Sequence, residues 1–479
     1  GPPAAVDEDL DTPSGAPLRS LAPLLRNEPG LTRAFGEPDA RLAVVEVARP
    51  ISIAALATLS NRRPLLVACP TGTMARQLHG DLSQFLDEEE LALFPGWETL
   101  PFERVSPNVE TMGQRLDVLW RLRDTARVPK VIVAGVRGLL QKLGPGALDI
   151  EPVVVRPGGN VDPDHLAETL VGFGYRREEV VEHRGEFARR GAIVDVYPAR
   201  ADAPIRIDLW GDEVDRLTRF SVNDQRSTVD LAEARIFPAR ELTPTPVVRE
   251  QAAELIATEP WGREQWERLA EGNHFDGMES WLPWLVGDSH GDGAALITDV
   301  LPEDAKIVLI EPRRMRDRAT DLIAEEDDLA RTLASTWARD PDKTFPRLHA
   351  EPDVLLSAAG SFWSIDSTPD SPDTPFVEAM GWGPVVGDGS GLTDRLQQLL
   401  PEGYRVVVAA DGDGSARRLK SLLLDQGLDF VLVSGHLDEL PPGGSIVVAP
   451  LYRGVTLPNA KVAIVAESDL TGRRRAHRR

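Results

Sequence analysis

Between Gly174 and Ser227 the chain reads GYRREEVVEHRGEFARRGAIVDVYPARADAPIRIDLWGDEVDRLTRFSVNDQRS, and this stretch contains Arg177, Arg184, Arg189, Arg190 and Arg206. A guanidinium offers a planar fork of donors suited to carboxylates, and arginines beside an aromatic such as Phe187 are the residue types that anchor protein–protein interfaces. In APIRIDLW the period-two alternation sets Ile205, Ile207 and Leu209 on one face of a strand, with Arg206 and Asp208 on the other. Gly211-Asp212 then reads as a turn. The opposing interpretation is a solvated face whose arginines are neutralised within the chain by Glu178, Glu179, Glu182 and Glu186. The residues alone leave the two evenly matched.

Other chemistry is harder to find. CPTGTMARQL follows an apolar run at the place where a strand–loop–helix phosphate site would stand. A working loop needs several glycines that expose backbone N–H groups and a lysine on the β- and γ-phosphates. Pro70, Thr71, Gly72, Thr73 and Met74 supply one glycine and no lysine. Nucleotide hydrolysis is not expected there, because the main charge stabilisation is gone. After YRVVVAA, the run Asp411-Gly412-Asp413-Gly414-Ser415-Ala416-Arg417 begins like a dinucleotide fingerprint, but Arg417 replaces its third glycine and two aspartates would repel a pyrophosphate. The glycines of 387–391 read as loop. No histidines fall at metal-binding spacing and Cys69 stands alone, so no metal site is expected. No turn of the GxSxG type supports a nucleophile triad.

The elements that must hold these residues suggest several units. Short apolar runs at 42–46, 64–69, 91–94 and 130–134 alternate with amphipathic segments, as a parallel α/β sheet requires. Met112, Leu116 and Leu119 share one face of a helix after Glu110, and Leu166, Leu170 and Phe173 share one face of another. Asp162 followed by Pro163 is a good start for the second helix. Strands are expected at 192–197 and 204–210, and KIVLIEP with the charged segment after it reads as a further βα unit. The boundaries that follow are a leader at 1–17 expected to be disordered, an α/β unit over 18–151, a sheet unit over 152–237, a mixed region over 238–350, a linker and start of the next domain over 351–390, and a small α/β domain over 391–479.

The 479 residues are too many for one core, and a single cysteine excludes a disulfide framework. A net charge of −23 argues against the whole chain gripping nucleic acid, because phosphate contacts need lysines and arginines. No apolar run is long enough to span a bilayer, so no membrane partner is expected, and the cysteine usage fits a reducing cytoplasm. The start at Gly1 without a methionine and the RRRAHRR end are the marks expected of a piece of something longer. PGWETLPFERVSPN (95–108) packs two aromatics and three prolines into a rigid loop, expected to fold back and cap the sheet.

Several of these segments resemble known families. G-Y-x-R, R-G-E-F-x-x-R-G, D-x-Y-P and R-I-D-x-x-G-D-E-V, in that order, are similar to the UvrA-binding domain shared by the repair helicase subunit UvrB and the transcription-repair coupling factors. W-E-T-L-P-F with the S-P that follows, FSVNDQRS, FDGMESWLPW and LPNAKVAIVAESDL resemble the coupling factors specifically. The tyrosine-rich DNA-clamping hairpin of UvrB has no counterpart among the four tyrosines of the chain. The resemblance implies an α/β multidomain fold: a degenerate RecA-like (P-loop NTPase-like) parallel-sheet domain, an inserted α+β UvrA-binding domain, and a further small α/β domain. It places Arg177, Arg190, Arg206 and Asp208 on family contact positions, with Ala188 where a further family arginine stands and Arg189 beside it. With Phe187 these form the expected UvrA-binding set. It implies UvrA as partner in transcription-coupled nucleotide excision repair. RNA polymerase, double-stranded DNA, ATP and Mg²⁺ would be met through a motor region that the family has beyond this sequence. A standalone UvrA-binding adaptor and a UvrB-like helicase subunit remain as alternatives.

Overall fold

The computed structural model describes residues 15–286, 295–333, 336, 345–357, 362–384, 390–433 and 440–472. Most of the expected leader (1–14), residues 387–389 of the glycine loop and the RRRAHRR end lie outside the described residues. Ala16, inside the stretch expected to be disordered, is buried and donates its N–H to Asp87 at 2.7 Å.

Strands Ala40–Ala43, Leu65–Cys69, Leu91–Phe94, Val131–Gly135, Lys306–Ile310 and Trp363–Asp366 build one all-parallel sheet. Their spatial order, named by first residue, is 40, 363, 306, 65, 131, 91. LLVAC, VIVAG and KIVLI are buried at every position, as strands covered on both faces must be. The strand Trp363–Asp366 corrects the expected boundaries. Residues placed in a linker over 351–390 instead fill the gap between the strands starting at 40 and 306. Four residues interrupted by Ser364 carry too short an apolar run to read as a central strand; only the two neighbouring strands supply its hydrogen bonds.

The long excursion between Val131–Gly135 and Lys306–Ile310 contains the arginine-rich unit. It is a six-stranded meander of β1 (Arg176–Arg177), β2 (Glu186–Arg190), β3 (Ile193–Val196), β4 (Ile205–Trp210), β5 (Glu213–Phe220) and β6 (Ser227–Asp230), adjacent in that order. All neighbours are antiparallel except β1 and β2. The helix Pro163–Gly172 packs on one face, capped by Asp162, whose carboxylate accepts the N–H groups of Asp164 and His165. Leu166 and Leu170 meet Phe187, Val194, Val196, Ile205 and Ile207 in a single core.

The W-E-T-L-P loop does fold back on the protein, and it does so by docking onto FDGMES. Ser106 Oγ donates to Glu279 at 2.6 Å and accepts the Gly277 N–H at 2.8 Å, while Arg240 holds the other Glu279 oxygen at 2.9 Å. Gly277 has φ +79°, and a Cβ there would stand 2.1 Å from the Arg104 carbonyl oxygen, so only glycine fits. The last unit is a five-stranded sheet with Arg405–Ala410 at its centre. Its edge strand Val455–Leu457 runs antiparallel to its neighbour, while the other pairings are parallel. Apolar side chains continue unbroken from Ile53 and Val67 to Val407 and Ile464, so this unit shares a core with the first sheet.

Candidate protein-docking site

Strand register sorts the meander's side chains. Ile205, Ile207 and Leu209 face the helix as the alternation requires. The opposite face carries two cross-strand rows. Ala188, Asp195, Arg206 and Thr218 form one; Arg190, Ile193, Asp208 and Arg216 form the next. Segments before β2 and after β5 close over the first row, where Val181, Ala188 and Phe220 make a small buried cluster with Tyr197 at its margin. The second row stays open.

Asp195 organises both rows. It is 1 % exposed and accepts from Arg206 Nε at 2.8 Å, Arg206 Nη2 at 3.1 Å and Arg190 Nη2 at 3.1 Å. Arg206 gives its remaining group, Nη1, to the Gln225 carbonyl at 2.9 Å and lies over the Phe220 ring at 4.6 Å. The Asp195 hydrogen bonds hold its proton more tightly than usual. Arg206 is therefore a brace: its side chain is only 13 % exposed and its donors are committed. Arg190 is half exposed and spends one nitrogen on Asp195. The Asp208 carboxylate has no hydrogen bond or ion pair among the described residues, although its charge also acts on Arg206, and Arg216 pairs with Asp230 at 3.0 Å.

The remaining expected residues divide. Arg177 is exposed on the edge strand β1, in register with Phe187 and so on the other parity from Arg190. Phe187 is fully buried among Leu166, Leu170 and Val196, which corrects its reading as an exposed aromatic. Its parity in β2 sends the ring to the helix-covered face. Four of the five arginines are neutralised within the chain, but by acids other than Glu178, Glu179 and Glu182. Arg184 pairs with Glu110 and Asp202, Arg189 with Asp164, and the Glu186 carboxylate accepts the N–H groups of Glu182 and His183.

Two residues escaped the sequence reading. Asp195 lies between Val194 and Val196 in a run that looks purely apolar, although a lone acid inside an otherwise β-branched strand was a signal. Trp210, at the tip of the β4–β5 hairpin, is 80 % exposed and shares its strand face with Arg206 and Asp208.

The meander is firmly seated. Arg200 pairs with Asp117 on the helix Val109–Leu122 at 3.0 Å, and the buried Tyr175 hydroxyl donates to the Phe237 carbonyl at 2.6 Å while accepting the Ala199 N–H. Burial pushes that hydroxyl's pKa up.

The 70–74 loop has a different character. Only Pro70 and Thr71 separate the strand end at Cys69 from the helix Gly72–Leu82, and Thr71 Oγ1 is used to cap the helix through the Met74 N–H at 3.1 Å. Gly135 presses against this turn: a Cβ on it would meet the Gly72 nitrogen at 2.9 Å. At the last unit, Asp411 donates its N–H to Glu467 at 2.8 Å, adding a third acid beside Asp411 and Asp413. Among the described residues no three His, Cys, Asp or Glu side chains gather as metal ligands, and no helix is long and apolar enough to cross a membrane.

Comparison with known proteins agrees with this placement. A family profile described as the UvrB interaction domain matches residues 153–242, which span the meander and its helix. The transcription-repair-coupling factor of Mycobacterium tuberculosis (strain CDC 1551 / Oshkosh) is 31 % identical over 498 aligned positions, covering 96 % of this chain and 40 % of the relative. Those of Escherichia coli (strain K12) and Bacillus subtilis (strain 168) are 27 % and 25 % identical, covering 87 % and 88 % of this chain and 36 % and 37 % of their own lengths. The chain thus spans about 40 % of the length of the curated relatives it matches.

Proposed function

We propose that this chain, which belongs to the transcription-repair coupling factor family, recruits UvrA through the open face of its antiparallel meander and so serves transcription-coupled nucleotide excision repair. The observation that carries the reading is the Arg190–Asp195–Arg206 arrangement inside the segment that matches the UvrB interaction domain. A buried carboxylate fixes one guanidinium as a brace and presents another, half exposed, next to the unpaired Asp208. Charged groups preset in this way cost little ordering on association and give a partner both signs to match. Arg177, exposed on the edge strand but on the parity opposite to Arg190, lies off this open face. RNA polymerase, double-stranded DNA, ATP and Mg²⁺ belong to the family's activity and are assigned to sequence that this chain does not contain.

Nucleotide turnover is not part of the proposed role. The two-residue turn has its threonine hydroxyl engaged as a helix cap, and it offers no lysine for a γ-phosphate. The decisive experiment is calorimetry of the full chain with purified UvrA. Binding is expected, weakened by about 2 kcal/mol in Arg190→Glu. Absence of binding by the unmodified chain refutes the proposal. ATP hydrolysis abolished by changing 71–73 would refute the second part.

A further inference from the structure

We infer that Trp210 is the apolar anchor of the docking face, inserting its indole into an apolar cleft of UvrA while Arg190 and Asp208 fix the orientation. The inference rests on the reading that this face meets UvrA and names the residue that supplies most of the contact.

Among the described tryptophans Trp210 alone is exposed; Trp97, Trp120, Trp266, Trp281, Trp363 and Trp382 are buried, and Trp261 and Trp284 are partly so. An indole in solvent forgoes burying about 150–250 Å² of largely apolar surface, so its position at a hairpin tip is costly unless something covers it. Its N–H has no hydrogen-bond partner among the described residues, which leaves a donor for the cleft wall.

The tip is also held rigid. Trp210 pairs with Glu213 across Gly211 (φ +63°) and Asp212, a tight two-residue turn. From behind, the Val161 N–H bonds the Asp212 carbonyl at 2.6 Å, and Gly158 and Gly159 exchange bonds with Val214 at 2.8 Å. An anchor held before the partner arrives loses little entropy on binding. Asp208 sits two residues along the same strand face, about 7 Å away, with Ile193 and Arg190 beside it in register.

Charge identifies the occupant. Asp212, Glu213 and Asp215 stand exposed around the tip of a chain of net charge −23. A second copy would set acids against acids, so the fitting surface is a partner cleft with a cationic rim near the tip and a carboxylate opposite Arg190.

Calorimetry of the full chain with purified UvrA tests this in three forms: unmodified, Trp210→Phe and Trp210→Ala. Trp210→Ala is expected to bind at least about tenfold more weakly with an unchanged thermal midpoint, and Trp210→Phe to stay within about threefold. If the unmodified chain binds and Trp210→Ala binds within about twofold of it, the anchor assignment is wrong while the docking face stands. If the unmodified chain does not bind, the docking face itself is wrong and the anchor with it. Sedimentation velocity supplies the remaining arm: self-association of the unmodified chain that disappears in Trp210→Ala would assign the indole to a second copy and overturn the inference.

Discussion

Replacing Glu241 by alanine tests what locks the W-E-T-L-P loop to the first sheet. Arg115 and Glu241 are both fully buried. Arg115 Nε lies 2.9 and 3.2 Å from the two Glu241 oxygens, Nη2 3.1 Å from Oε1, and Nη1 2.8 Å from the Pro95 carbonyl. The guanidinium also covers the Phe94 ring at 4.4 Å, and Trp97 Nε1 donates to Glu241 at 2.7 Å. Removing the carboxylate strands a guanidinium without counter-charge, which costs about 3–5 kcal/mol in a buried pair. It also orphans the Trp97 N–H, worth about 1–3 kcal/mol alone. Because one carboxylate serves both groups the costs overlap, and about 4 kcal/mol is expected. Urea unfolding followed by tryptophan emission reads it as a fall in midpoint at unchanged slope. The double change Arg115→Met with Glu241→Leu should lose less than Glu241→Ala alone, since removing both charges leaves no unpaired ion. A Glu241→Ala loss below about 1 kcal/mol, or a double variant less stable than the single one, would refute the reasoning.

Three further outcomes are expected. Gly277→Ala should destabilise by more than about 2 kcal/mol, from a left-handed backbone and a Cβ driven into the Arg104 carbonyl; Gly414→Ala, whose Cβ meets nothing, is the neutral-to-stabilising control in the same melts. Asp81, desolvated between the Gly72–Leu82 helix and Tyr452 with Glu46 adding repulsion, has its pKa raised to about 6. The folded chain holds this proton where the unfolded chain releases it, so the stability Asp81 contributes is full below about pH 4 and lost as pH rises through 6, by no more than about 3 kcal/mol. Asp81→Asn should flatten that part of a stability–pH profile. Changing Arg206 to methionine should weaken UvrA binding strongly in the unmodified background and little beyond Arg190→Ala in a double-mutant cycle, because a brace acts through the residue it holds. Strictly additive losses would make Arg206 a direct contact instead.

Residue order alone determined a good deal about this chain. Period-two alternation in APIRIDLW was enough to separate Ile205, Ile207 and Leu209 from Arg206 and Asp208, because a pleated strand permits no other sorting. Continuous apolar runs marked the parallel strands at 65–69, 131–135 and 306–310, and the missing lysine at 70–74 is a fact of composition. Tertiary structure decided the rest. The short strand Trp363–Asp366 exists because two distant strands leave a gap for it. Phe187 and Arg190 are three residues apart in β2, and only the helix packed on one side buries the ring while the guanidinium stays out. Arg177, Arg184, Arg189, Arg190 and Arg206 looked equivalent in the stretch from Gly174 to Ser227. Cross-strand register brought Asp195 between Arg190 and Arg206, making one the brace and the other the presented group. Charge pairing across strands depends on which residues face each other, and a linear sequence does not contain that register.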